Sequence, residues 1–168
     1  MRPPVSLPLL DASIDARVAA IREAHPTWPC QLGCDLCCRT LPRLPVLTGA
    51  EWQRVREALV GLPAEVRTAI AARLRETPDT GPVPCPLLDP ARGACLVYEA
   101  RPIACRTYGY YTERDGGLHC SLVTRELEAR GTADEVVWGH GEAISRALAE
   151  YGEALSLRDW MTEPLRGE

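Results

Sequence analysis

Residues 30–38 read CQLGCDLCC, so four of the eight cysteines in this 168-residue chain lie within nine positions. Thiols placed this closely can be disulfide partners, buried core side chains, a catalytic thiol with its neighbours, or ligands of a metal. Which of these holds depends on the compartment, on the other cysteines and on the fold that surrounds the stretch.

The composition is that of a soluble globular protein. A chain of 168 residues, 46% hydrophobic and 25% charged, is long enough to bury a core. Its net charge of −4 argues against a nucleic-acid partner, because surfaces that bind nucleic acids are basic. We therefore expect residues 1–168 to form a single domain, with a cysteine-cluster core at about 30–120 and helical flanks on either side.

Hydropathy indicates no membrane partner. The apolar run near the N-terminus is interrupted by Pro8 and is shorter than that of a signal peptide. No window approaches the roughly 18 apolar residues of a membrane span. We therefore expect a cytoplasmic protein whose thiols stay reduced, which argues against disulfides at residues 30–38.

Hydrophobic periodicity predicts several helices. Pro26 and Pro29 end the first helix and lead the chain into the cysteine stretch, while Thr48 and Glu51 form a capping-box signature. A short helix that begins at Pro102 is expected to carry Cys105. The longer predicted helices cover residues 11–24, 48–60, a segment from Pro63 with Val66, Ile70 and Leu74 facing inward, 121–130 and 140–151.

The remaining segments predict loops and a few strands. Residues 30–45 and 77–84 are rich in proline and glycine and are expected to be loops. In the second cysteine segment, residues 87–88 and 96–98 are expected to be short strands around the turn DPARG, and residues 107–112 are β-prone. The predicted fold class is mainly α with a small β element, a single cysteine-rich metal-binding domain built on helices and long loops.

The spacing of the first cysteines is typical of metal ligands. Cys30, Cys34 and Cys37 are close enough for their thiolates to face one ion from a tight loop, and Gly33 helps that loop to turn. Soft thiolate ligands select zinc or iron–sulfur clusters over magnesium or calcium. The same triplet spacing occurs in radical enzymes that bind S-adenosylmethionine, but the chain lacks the repeated βα pattern of their barrel.

Further ligands are expected from elsewhere in the chain. Neighbouring side chains of an extended segment point to opposite sides, so Cys37 and Cys38 would serve two sites, or one site and a core position. Eight cysteines could fill two four-ligand sites, or one site with four to spare. Ligation and burial as a small hydrophobe are equally supported for Cys120. The candidate metal ligands are Cys30, Cys34, Cys37, Cys38, Cys85, Cys95, Cys105 and Cys120.

The two cysteine segments together closely resemble the CxxCxxCC (YkgJ-like) cysteine-cluster family. The resemblance rests on CQLGCDLCC, on CPLL at 85–88 and on CLVYEARPIACR at 95–106, and it covers about residues 30–120. The last segment matches the family pattern C-x-V/I-Y-E-x-R-P-x-x-C-R. One departure is that three residues separate Cys30 from Cys34, where the family usually has two.

The resemblance implies a protein that chelates zinc or iron. It favours a [4Fe–4S] cluster over zinc, because a similar domain of flagellin lysine methylases is associated with an iron–sulfur cluster, and it implies no particular reaction. Thiolate ligands leave a net negative charge on such a centre, and Arg101 and Arg106 beside Cys105 are predicted to offset it. His119 is a candidate spare ligand, and His140, in the sequence WGHG, is expected to cap or pack at a helix start.

Three functions remain open. The protein could be a binding module that holds a [4Fe–4S] cluster or zinc in a redox or accessory role. It could be a metal- or cluster-dependent enzyme that acts on a protein or peptide, although the sequence identifies no catalytic residue. It could also be a zinc-stapled structural protein or one that hands metal to a protein partner. All three require the metal or cluster as a partner.

Overall fold

Helices dominate the computed structural model, which describes residues 6–114 and 120–162. The predicted fold class, mainly α with a small β element, is confirmed. No helix in these two ranges is long and apolar enough to cross a membrane. The helices are α1 Leu7–Ala24, α2 Leu36–Arg39, α3 Gly49–Val60, α4 Ala64–Glu76, α5 Ile103–Thr107, α6 Ser121–Arg130, α7 Gly141–Ala149 and α8 Leu157–Thr162. The strands are β1 Leu41–Arg43, β2 Val46–Thr48, β3 Thr80–Val83, β4 Leu88–Asp89, β5 Ala94–Cys95, β6 Tyr111–Thr112, β7 Gly139–His140 and β8 Ala154–Ser156.

The chain divides into two compact units. Unit 1 consists of Met1–Leu32 and Ile103–Tyr151, and unit 2 consists of Gly33–Pro102 and Gly152–Glu168. Each unit is therefore assembled from two separate stretches of the sequence. That the whole chain forms a single domain stays a prediction.

In unit 1, α1 supplies the apolar face that the periodicity predicted. Ile14 and Ile21 are buried in two hydrophobic clusters, and Val18, between them, packs against both clusters. The helix begins at Leu7, four residues earlier than predicted, with Pro8 in its first turn, where a missing N–H costs nothing. Ile14 packs against Ile103 at the start of α5. This places α5, which carries Cys105, against the middle of α1.

Unit 1 also contains a parallel pair of strands, β6 and β7. Tyr111 in β6 lies opposite Gly139 in β7. A β-carbon at Gly139 would overlap the ring of Tyr111, and one at Gly141 would lie 2.7 Å from the Glu113 carboxylate. The two glycines of WGHG are therefore required by the close approach of Tyr111 and Glu113.

In unit 2, the capping box at Thr48 starts α3 as predicted. The Thr48 backbone N–H and hydroxyl both donate to the Glu51 carboxylate, at 2.9 and 2.8 Å, and the Glu51 N–H donates back to the hydroxyl. The buried side chains of α3 and α4, among them Leu59 and Ile70, pack into one hydrophobic cluster. Because Glu51 is 2% exposed, this cap belongs to the core of the unit.

The second stretch of unit 2 joins this core through an antiparallel pair. β8 pairs with β2, with Leu155 opposite Leu47. Leu157 is fully buried, and its N–H donates to the Pro45 carbonyl at 2.7 Å. The indole N–H of Trp160 donates to the Leu47 carbonyl at 2.8 Å. Residues 152–162 are thus an integral part of unit 2.

Replacing Glu51 by alanine is expected to lower the free energy of unfolding by about 2 kcal/mol, because the buried Thr48 N–H loses its acceptor. Glu51→Gln keeps an oxygen that can accept this bond and should lose about half as much. Urea denaturation of both variants measures the difference. Equal losses would show that the capping bond contributes nothing.

Candidate metal centre

Residues 33–39 form a tight knuckle that is partly helical, although the sequence predicted a loop. Gly33 has φ +94°, which suits glycine, and α2 follows it. Helical backbone turns Cys37 and Cys38 by about 100° relative to each other, not by 180°. Their Sγ atoms lie 4.0 Å apart. The expectation that these two sulfurs point to opposite sides is therefore wrong, because it assumed an extended chain.

The proximity of the two sulfurs disfavours their ionisation. The pKa of the Cys37 thiol is raised far above its ordinary value, first by its hydrogen bond with Cys38, then by burial and by the charge that Cys38 would carry. A cation between the two sulfurs would reverse this effect, because it favours the thiolate form of both. The pair can thus become a dithiolate when a metal supplies the opposing charge.

The segment 85–95 lies directly against the knuckle. The N–H of Cys85 donates to the Cys38 carbonyl at 2.7 Å. Cys85 then leads into the hairpin of β4 and β5, in which Leu88 lies opposite Cys95. This backbone hydrogen bond thus connects Cys38 to the segment that contains Cys85 and Cys95.

The turn of this hairpin also contacts the knuckle. Asp89 begins the turn, and its carboxylate accepts the N–H of Ala91 at 3.0 Å. Gly93 follows with φ +60°, and a β-carbon there would lie 3.3 Å from a carboxylate oxygen of Asp35. Glycine at this position therefore allows both the left-handed turn and the close approach to the knuckle.

Cys95 lies within electrostatic range of the vicinal pair. Burial raises the pKa of its thiol, Arg101 opposes this, and the charge of Cys37 adds to the rise. Arg101 is held in place by Tyr98, whose carbonyl accepts its Nε–H at 2.8 Å and whose ring lies 3.5 Å from its Cζ atom. Arg54 in α3 donates to the Arg101 carbonyl at 2.9 Å. Arg101 is thus a fixed cation near a candidate ligand.

The other three cysteines belong to unit 1. The thiol of Cys30 lies 3.4 Å from the Tyr108 carbonyl, and Cys30 packs into the hydrophobic cluster that contains Cys120. Cys120 is 4% exposed and lies at the start of α6. Cys105 lies in α5 and is half-buried. For Cys120 these surroundings are those of a core residue.

Arg106 and Arg39 are engaged with carboxylates. Arg106 forms ion pairs with Asp15 at 2.8 Å and with Asp11 at 3.4 Å, both in α1. Arg39 pairs with Asp35 at 2.5 Å on the surface of the knuckle. A role for Arg106 beside a metal stays a prediction, and its observed contacts fasten α5 to α1.

All eight cysteines lie in the described part of the chain, and no disulfide joins any two of them. Contacts and charge bring Cys37, Cys38, Cys85 and Cys95 into one neighbourhood of unit 2, and Cys34 lies beside them in the knuckle. Within residues 6–114 and 120–162, however, no three Cys, His, Asp or Glu side chains are grouped as a formed metal site. His119 lies outside the described residues. His140 occupies the start of α7, but its side chain makes no capping bond.

Sequence reasoning missed three residues that shape this centre. Gly93 and Asp35 bring the hairpin turn and the knuckle together, and Arg54 supports Arg101. Gly93 had a visible signal, because it is the glycine that ends the turn sequence DPARG. Arg54 had none, since its partner is 47 residues away along the chain.

The thiols of unit 2 fit a metal ion by their chemistry and by the separation of the Cys37 and Cys38 sulfurs. Four thiolates at about 2.3 Å from a tetrahedral zinc ion lie about 3.8 Å from one another. The 4.0 Å between the sulfurs of Cys37 and Cys38 is close to this value. The pair can therefore serve one ion with little movement.

Comparison with known proteins gives the same class of function. Residues 29–129 match the sequence profile of the CxxCxxCC family, described as "Putative zinc- or iron-chelating domain". No curated protein and no solved structure is significantly similar to the chain. The matched segment contains the knuckle, the hairpin and Arg101. Since it spans more than half of the 168 residues, the chain belongs to the CxxCxxCC family of metal-chelating domains.

Proposed function

We propose that unit 2 binds one metal ion through the thiolates of Cys37, Cys38, Cys85 and Cys95, and that zinc is this ion. The observation that carries the proposal is the 4.0 Å separation of the Cys37 and Cys38 sulfurs. Cys34, in the same knuckle, is the fifth thiol available to the centre. Ligation by Cys30, Cys105 or Cys120 stays a prediction.

The sulfur separation favours a single ion over a [4Fe–4S] cluster. In such a cluster each cysteine ligates a different iron, which holds the cysteine sulfurs further apart than two ligands of one ion. The resemblance alone favoured the cluster, and the thiolate-only donor set suits either centre. An iron–sulfur cluster is therefore the second candidate.

Metal binding is expected to complete the site by drawing the hairpin thiols toward the vicinal pair. Cys85 is already fastened to Cys38 by a backbone hydrogen bond, and Cys95 lies in the field of Cys37. Four thiolates on a divalent ion carry a net charge near −2, which Arg101 would partly offset. The ion would hold the knuckle and the hairpin together, so its binding energy would stabilise the fold.

A closed four-thiolate site points to a structural or metal-handling role. Catalytic zinc sites keep one position open for water or substrate, whereas a site with four cysteines does not. The proposal includes a reducing compartment such as the cytoplasm, because only reduced thiols can ligate.

Elemental analysis tests the identity of the metal. Freshly purified protein, prepared without air, should contain about one zinc per chain and no acid-labile sulfide. Iron and sulfide in similar amounts, with absorption near 400 nm, would show that the centre is an iron–sulfur cluster and not a zinc site. Protein that is folded but free of both metals, and that takes up neither on reconstitution, would contradict metal binding altogether.

A further inference from the structure

Unit 1 contains a cavity, open to solvent, that the proposed metal centre does not use. It lies between α1 and α7, on the side where β7 leads into α7, and its volume is about 550 Å³. This volume is within the range of pockets that bind small molecules. The side chains that give it its chemical character are Ser13, Arg17, Tyr111, Trp138, His140 and Ile144.

The sequence WGHG at 138–141 shapes this cavity. Trp138 and His140 both line it, and Tyr111 lines it from the neighbouring strand. The intervening Gly139 leaves the space that the Tyr111 ring occupies. Two half-buried aromatic rings therefore form a wall whose position depends on the backbone of this motif.

Arg17 contributes the charge of the cavity. Its Nη1–H donates to the Val137 carbonyl at 3.2 Å, which holds the guanidinium beside the aromatic wall. Within the described ranges this is its one hydrogen bond, and no carboxylate lies within ion-pairing distance of it. A guanidinium has five N–H donors, so several remain for a ligand.

Two acidic groups near the cavity have other partners, and a third, Glu113, lies with its carboxylate against Gly141. Asp15 contributes to the field at Tyr111 but is bound by Arg106 at 2.8 Å. Glu142, in the first turn of α7, pairs with Arg114 at 3.4 Å. The positive charge of Arg17 is therefore not matched by a carboxylate that lines the cavity.

We propose that this cavity binds a small molecule with a flat aromatic body and one anionic group, a carboxylate or a phosphate. Trp138 and Tyr111 pack against the body, and Arg17 binds the anionic group through charge-assisted hydrogen bonds. The site is independent of the metal, because every residue that carries it belongs to unit 1 and none is a candidate ligand.

Three probes with the same aromatic body test the proposal. Binding of 2-naphthoate, 2-naphthyl phosphate and the neutral 2-naphthamide to the metal-loaded full chain is measured by ligand-observed NMR. At least one anion should bind about tenfold more tightly than the amide, because hydrogen bonds between charged groups contribute about this factor. Preference between the two anions identifies the ligand class.

Two variants assign the binding to Arg17. Arg17→Met should weaken binding of the preferred anion about tenfold and leave binding of the amide unchanged. Arg67→Met is the matched control, because Arg67 is also a helical arginine with one hydrogen bond to a backbone carbonyl, that of Val60 at 3.0 Å. It should change nothing.

Several outcomes would overturn the proposal. These are no binding of either anion at millimolar concentration, equal binding of the amide, or unchanged anion binding in Arg17→Met. If Arg17→Met fails to fold, the salt dependence of the unmodified chain replaces it. Added salt should then weaken binding of the anion and not of the amide. An equal effect of salt on both ligands would refute the role of charge.

Discussion

Replacing Cys37 by alanine is expected to remove the bound metal and to lower the Tm by about 8–16 °C. A ligand present at a thousandfold excess over its Kd stabilises the native state by about 4 kcal/mol. In a protein of this size each kcal/mol corresponds to about 2–4 °C. The two sulfurs of the vicinal pair are already 4.0 Å apart, so the loss of one of them should affect binding strongly.

The matched control is Cys120→Ala, which removes the same atom from a core position. Cys120 is 4% exposed within the hydrophobic cluster of unit 1. Its replacement should lower the free energy of unfolding by about 1–2 kcal/mol and leave the metal content unchanged. Metal content by mass spectrometry under native conditions and thermal unfolding with and without a chelator separate the two effects. Full metal occupancy in Cys37→Ala, or metal loss in Cys120→Ala, would move the centre away from unit 2.

Replacing Gly139 by alanine is expected to lower the free energy of unfolding by about 3 kcal/mol. The added β-carbon would overlap the ring of Tyr111, which lies opposite Gly139 in the β6–β7 pair. Tyr111 must then leave its position, and both the strand pair and the wall of the cavity are disrupted. Metal content at low temperature should be unchanged, because the proposed ligands lie in unit 2.

Gly61→Ala is the control for this substitution. Gly61 ends α3 with φ −72°, and a β-carbon added there would lie 3.4 Å from the nearest atom, the Ala58 carbonyl oxygen. Alanine fits at this position and should be neutral or stabilise by up to about 1 kcal/mol. Chemical denaturation measures both variants. A Gly139→Ala protein as stable as the parent would show that Tyr111 can shift without cost.

The helices were predictable because their signals are local. The capping box at Thr48 placed the start of α3, and the helical spacing of Ile70 and Leu74 placed the inner face of α4. α6 was predicted with its observed bounds, and Gly131, in a left-handed conformation, explains why it ends there. Periodicity and caps act within a few residues, so one sequence suffices to read them.

The strand pairs were mostly not predictable because they depend on distant partners. β2 pairs with β8, about 110 residues away, and β1 pairs with β3 across two helices. Residues 80–83 were expected to be a loop because proline and glycine dominate them. The hairpin around DPARG was predicted, but its second strand ends at Cys95, and the segment from Tyr98 forms a short 3-10 helix.

The thiols of the candidate centre stand out in the sequence, but their arrangement in space does not, and their ligation of a metal stays a prediction. Spacing singled out the thiols of the knuckle and of the hairpin, and backbone contacts bring these two segments together. The orientation of Cys37 and Cys38 depended on whether four residues form a helical turn, which so short a segment does not reveal. Arg106 was matched by its motif, but the structure gives it the carboxylates of α1 as partners.

The interleaving of the two units limits how the protein can be shortened. A fragment with the boundaries of the family match, residues 29–129, would lack α1, which covers Ile103, and β8 with Leu157, which complete the core around Leu47. Both cores would be left with apolar surface facing water, a condition that promotes aggregation during expression. We therefore expect residues 29–129 not to fold on their own, and recombinant work on this protein should retain both ends of residues 6–162.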